Sequence, residues 1–166
     1  MVFPRTPWGR PDLPAGQHWS DRVVAQLALA VGDNTIVYST GYLSEHPGDP
    51  LGFEGQIVVF TDKTIVRTTI EAQRPELHSI GFEVTAPVSI VPTTALDRLE
   101  ILSVDAIPEP DGDEDELSDW LGYVEARAHI GGQTIDLPLT GGRPARRDEA
   151  LAPFLMQAFT GGHQSA

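Results

Sequence analysis

The sequence predicts a mostly-β domain: seven antiparallel strands, one helix before them and one after. The strands are expected to curl into a small barrel or two packed orthogonal sheets. Three observations predict this. Apolar residues recur with a helical period up to Gly32. The period then drops to two and stays there for about a hundred residues. It returns to 3.6 in the last turns of the chain, where Leu151, Phe154, Leu155, Ala158 and Phe159 fall on one stripe.

The first helix is expected to open at Ser20, a good N-cap, with Asp21 suiting the positive helix start and Gly32 standing just past its end. Val23, Val24, Leu27 and Val31 form its apolar stripe. The strands follow in order. Residues 35–43 read as the first and 55–60 as the second. Thr61, Asp62 and Lys63 make a tight turn into the third, where Val66, Thr68 and Ile70 share one face and Arg67 lies on the other. In the fourth, residues 80–86, Ile80, Phe82, Val84 and Ala86 oppose Glu83 and Thr85. Residues 98–106 form the fifth. The sixth runs from Trp120 and places Val124, Ala126, Ala128 and Ile130 opposite Glu125, Arg127 and His129. Gly131 and Gly132 signal a two-residue hairpin into the seventh, with Ile135, Leu137 and Leu139 inward. Pro153 requires the last helix either to start beside it, with Pro153 as the first helical residue, or to kink there. Seven meandering strands need a way to remove their open edges, which is why a barrel or paired sheets are expected, with the last helix covering one end.

A chain of 166 residues suits a single core. The expected division is a Pro-rich arm over residues 1–18, one domain over 19–162 and a short tail over 163–166. The arm holds four prolines and no apolar run, so it does not read as a signal peptide. Residues 23–31 are apolar but too few to span a bilayer. A cytoplasmic protein is the expectation. Ten of the eleven basic residues are Arg, and Ala, Gly and Pro are abundant, as a GC-rich bacterial gene would encode. Cysteine is absent, which excludes disulfides and thiolate metal sites. The formal charge of -13 argues against binding nucleic acid or an anionic membrane, where phosphates must be neutralised.

Candidate chemistry is sparse. No two of His18, His46, His78, His129 and His163 stand at a zinc-ligand spacing, and they read as surface or loop residues. Ser39 lacks the nucleophile-elbow glycine, and no hydroxyl has a base beside it in sequence. No catalytic residue, cofactor site or metal site is therefore assigned. The outward row Tyr123, Glu125, Arg127 and His129 reads first as a solvated face with cross-strand charge pairs, and second as a binding face.

Two charged clusters are candidate partner-binding residues. One is the segment Pro108 to Trp120, which holds Glu109, Asp111, Asp113, Glu114, Asp115, Glu116 and Asp119, seven of the chain's 24 acids. A calcium loop starting at Asp111 would use Asp113 and Asp115, but it requires Gly and Glu where the chain has Glu116 and Gly122. The segment reads as a solvated connection or a surface for a basic partner. The other cluster is Arg143, Arg146 and Arg147, which oppose the dipole of the helix they precede. They are expected to meet an acid, either Asp148, Glu149 or the acidic segment within the molecule, or an anionic ligand.

Residues 55–67, "GQIVVFTDKTIVR", resemble the hairpin of bacterial pleckstrin-homology-like (PH-like) domains. Residues 87–101, "PVSIVPTTALDRLEI", resemble the segment that follows, in which an apolar strand reaches a Pro and a short link leads into a second sheet. Residues 124–139, "VEARAHIGGQTIDLPL", resemble the last hairpin. The resemblance spans residues 35–160 and implies a PH-like barrel closed by its C-terminal helix. Members that bind phosphoinositides carry a basic cluster on the first hairpin loop. Here residues 44–55, "SEHPGDPLGFEG", hold three acids and no Lys or Arg, so that ligand is not carried over. What the resemblance implies is a non-catalytic module for protein contact or self-association. A small barrel holding an apolar ligand is one alternative, unless Val124, Ala126, Phe82 and Ile57 pack on Phe154 and Phe159 and leave no room. An acidic inhibitor that mimics nucleic acid is another.

Overall fold

The computed structural model describes residues 19–46, 49–73, 83–106, 121–142 and 148–161. The arm 1–18, the tail 163–166, Ile80 and Phe82, the segment 107–120 and the arginines at 143, 146 and 147 lie outside the described residues.

Helix α1, Trp19–Val31, begins two residues before Asp21, the expected first helical residue, so Ser20 sits in its first turn. Gly32 adopts φ 58° and its N–H donates to Ala28 O at 2.9 Å, which satisfies a terminal carbonyl. Val23 and Val31 are buried, but Val24 is 52% exposed and leaves the expected stripe. Val31 lies within about 20° of Val24 around the axis, so the two differ in position along the helix rather than in the face they occupy.

Strand β1, Ile36–His46, pairs antiparallel with β2, Asp49–Thr61, and β2 pairs with β3, Thr64–Gln73. The β2–β3 turn is held by Thr61, whose buried hydroxyl accepts from Thr64 N at 2.8 Å and from Lys63 N at 3.2 Å. Strand β3 is the spine of the large sheet. Val66, Thr68, Ile70 and Ala72 are buried on one face, and Ile65 is buried on the other, where Arg67 follows it.

Next come β4, Glu83–Thr85, and β5, Val88–Pro92. Both pair antiparallel with β3, β4 against residues 71–73 and β5 against 64–68. They are therefore collinear pieces of one ribbon, interrupted at Ala86 and Pro87. With this interruption the described residues hold eight strands where seven were expected. Pro87 has no N–H for the ladder, and the separate strand after it lies in the residues that carried the family resemblance.

A short 3-10 turn, Thr93–Ala95, leads into the small sheet, which is built from β6, Leu96–Ala106, β7, Leu121–Ile130, and β8, Gln133–Leu137, in that order. Gly131 and Gly132 have φ of 55° and 80°, the left-handed pair that a tight hairpin needs. The inward set Ala126, Ala128, Ile130, Ile135 and Leu137 is buried as the alternation predicts. Among the described strands no ladder joins the two sheets, so the expected closed barrel is not formed. Side chains, rather than backbone hydrogen bonds, hold the sheets together.

Those side chains come from both sheets and from helix α2, Leu151–Gly161. It starts two residues before Pro153, which therefore lies in the first turn, where its missing N–H costs no helical bond. Asp148 opens the helix: its backbone O accepts from Leu151 N at 3.1 Å and its carboxylate from Ala150 N at 3.1 Å. Leu151, Phe154 and Leu155 enter a core shared with Tyr38, Val58, Phe60 and Ile65 of the large sheet and with the inward residues of β7 and β8. The Phe154 ring stacks on Tyr38 at 4.9 Å and tilts against Phe60 at 4.9 Å. Two positions depart from the expected packing. Phe159 is 48% exposed, since it lies about 12 Å along the axis from Leu151 and past the end of this core. Ile57 points to the opposite face of the large sheet, where it packs near Val31, Val59 and Val66 in a second cluster under α1. Among the described residues no helix is long and apolar enough to cross a membrane.

Candidate binding cleft

The outward face of the small sheet carries the polar row seen in the sequence, and the structure pairs it off. Arg127 Nε donates to Asp136 Oδ1 at 2.6 Å, across the register that sets these residues opposite each other. His129 Nε2 lies 3.0 Å from Glu100 Oε2, and Arg98 reaches Glu100 Oε1 at 2.6 Å. Ser103 donates to Glu125 at 3.0 Å. The hydrogen bond with His129, helped by the Arg98 charge, holds the Glu100 carboxyl below its usual range. The bond to Asp136 raises Arg127. Side-chain pairs of this kind tie three strands together, and being exposed they add little stability. The Tyr123 side chain lies outside the described residues.

A second polar group brings residues of the two sheets together. Gln56 on β2 and Arg67 on β3 face Thr134, Ile135 and Asp136 on β8 and the strap of residues 138–141 that follows β8. Together they line a cleft of about 210 Å³. The strap is pinned to β1. Leu139 N donates to Thr40 Oγ1 at 3.0 Å, and Gly141, at φ 60°, lies so close to the Tyr42 ring that a Cβ there would collide with it. Tyr42 in turn stands opposite Gln56 in the β1–β2 ladder, so the strap and the cleft wall are fixed to one another.

Arg67 is the charged centre of the cleft. Its Nη1 donates to Gln133 Oε1. With the Gln56 amide turned so that both groups are satisfied, Gln56 Oε1 accepts from Arg67 Nε at 2.6 Å and from Nη2 at 2.9 Å. Two neutral amides thus clamp the guanidinium in a fixed orientation. Among the described residues no carboxylate pairs with it. Asp136 borders the same cleft, but its carboxylate is held by Arg127 through two bonds, at 2.6 and 3.4 Å.

The sequence-level candidates and this cleft do not coincide. Asp111, Asp113, Glu114, Asp115 and Glu116, with Arg143, Arg146 and Arg147, lie outside the described residues. Gln56, Arg67, Gln133 and Gly141 were not singled out as a site from sequence. The only local signal was an Arg on a strand face that begins with buried Ile65. Comparison of the chain with protein-family models, with curated proteins and with solved structures gives no significant match.

Proposed function

We propose that this chain is a PH-like, non-catalytic module of the bacterial cytoplasm that works by protein contact or self-association. The strand order supports the scaffold. Three strands and an interrupted fourth ribbon form one antiparallel sheet, three strands form the next, and an amphipathic helix closes the chain. Two packed sheets, set orthogonally, are the corresponding finer reading.

The observation that carries the binding role is the position of Phe154. Its ring lies between Tyr38 and Phe60, while Leu151 and Leu155 occupy the space beside it. An interior filled in this way favours contact at the rim and outer faces over an apolar ligand held inside. The acidic surface favours partners of opposite sign. The lack of basic residues in the β1–β2 loop argues against a phosphoinositide, and the net charge argues against nucleic acid.

Native mass spectrometry of the protein taken from its source cells tests this. The expected species are multiples of the chain mass or a complex with a second protein. Retention of an apolar small molecule on the monomer would overturn the reading in favour of the ligand-holding barrel. Deleting residues 109–119 and repeating the measurement assigns the acidic segment its part: an unchanged complex removes it from the contact surface.

A further inference from the structure

We infer that the cleft around Arg67 is a binding site for a small organic carboxylate, independent of the protein partner that the module meets. The chain has 24 acids and 11 bases, so an Arg with no carboxylate partner among the described residues is against the odds of its own composition. Its guanidinium is nevertheless neither loose nor fully committed. Gln56 and Gln133 accept from Nε, Nη2 and Nη1. A guanidinium has five N–H donors, so one on Nη1 and one on Nη2 have no acceptor among the described residues. Amides fix the plane of the group without cancelling its charge, which is the preparation that a bound anion needs.

The chemistry of the walls narrows the ligand. One cation with no carboxylate partner among the described residues matches one negative charge, since the Asp136 carboxylate is already answered by Arg127. The planar fork of a guanidinium fits the planar two-oxygen edge of a carboxylate. A doubly charged phosphate would meet a single cation within a strongly acidic protein. Ile135, Pro138 and Leu139 supply apolar surface for a short hydrocarbon stem, and Thr134 and Thr140 supply hydroxyls. At about 210 Å³ the cleft suits a molecule of a few heavy atoms. It lies between β2–β3 and β8, away from the β1–β2 loop.

Titration of the full chain with propionate, followed by amide NMR, tests the site. Saturable shifts are expected at the side-chain N–H groups of Gln56, Arg67 and Gln133 and at the backbone of Thr134 and Gly141. R67Q is expected to weaken binding roughly 10- to 100-fold, the range for a hydrogen bond to a charged group. R67K keeps the charge and loses the fork, so an intermediate loss is expected. R98Q, on the outer face, should leave the shifts as they are. The inference is overturned if propionate gives no saturable shift at these groups, or if a folded R67Q or R67K binds as wild type does. It is also overturned if inorganic phosphate binds the same groups as tightly, or if only an acidic peptide binds there. None of these outcomes bears on the masses seen in native spectrometry, so this site and the contact module stand or fall separately.

Discussion

Tyr38 Oη donates a hydrogen bond to Asp148 Oδ2 at 2.7 Å across 110 residues of chain. Tyr38 is 2% exposed and its ring stacks on Phe154, while Asp148 opens the helix that carries Phe154. One phenol thus joins the first strand, the core and the start of the last helix. Tyr38→Phe keeps the ring and removes only this bond. A loss of about 1.5–3 kcal/mol is expected by urea unfolding, the range for a bond to a charged acceptor. A loss no larger than that of an exposed Tyr→Phe change would show that the bond contributes nothing.

The same pair sets a pH limit. Burial, reinforced by the Asp148 charge and hydrogen bond, pushes the Tyr38 phenol well above its ordinary value of 10.0. In the unfolded chain it titrates near that value, so protons are held more tightly in the folded state. The contribution is therefore complete below about pH 10 and is lost as pH rises beyond it. Melting temperature should fall more steeply for wild type than for Tyr38→Phe above about pH 10. Parallel curves would refute this.

Phe154 touches both sheets' shared core, and no backbone ladder between the described strands compensates for its loss. Phe154→Ala should cost about 3–5 kcal/mol in chemical unfolding. Phe159→Ala, at an exposed position on the same helix, should stay within about 0.5 kcal/mol of wild type. Equal losses at both positions would contradict the described packing.

Gly141 combines φ 60° with contact against the Tyr42 ring. Gly141→Ala adds left-handed strain and a collision, together roughly 2–4 kcal/mol. Tyr42→Ala in the Gly141→Ala background should recover the collision part and leave the backbone part. Circular-dichroism melts of the three variants separate the two terms, and additive losses would remove the collision.

Val23 and Val24 are neighbours with the same side chain and different surroundings. Val23→Ala removes two buried methyl groups and should cost about 1.5 kcal/mol. Val24→Ala should change stability by less than about 0.5 kcal/mol. The ranking by urea midpoint is the check.

Features set over a few residues could be read directly from the chain. These include the turn at Thr61, Asp62 and Lys63, the Gly131–Gly132 hairpin, the alternation of Val124 to Ile130, and both helices. Each depends on a local period, a φ angle that only glycine takes freely, or a hydroxyl bonding two residues on. The extent of a helical stripe was already harder, because Val24 and Val31 share nearly one azimuth and only Val31 is covered. The break between β4 and β5 falls at Pro87 and is local, whereas the link between Tyr38 and Asp148 and the meeting of Gln56, Arg67 and Gln133 had no local signature. Arg67 and Gln133 are 66 residues apart, and they meet because the rings of Tyr38, Phe60 and Phe154 set the distance at which two separate sheets face each other. Packing at that range depends on the shape of the whole core, which is why the cleft belongs to the tertiary structure and the strands that line it belong to the sequence.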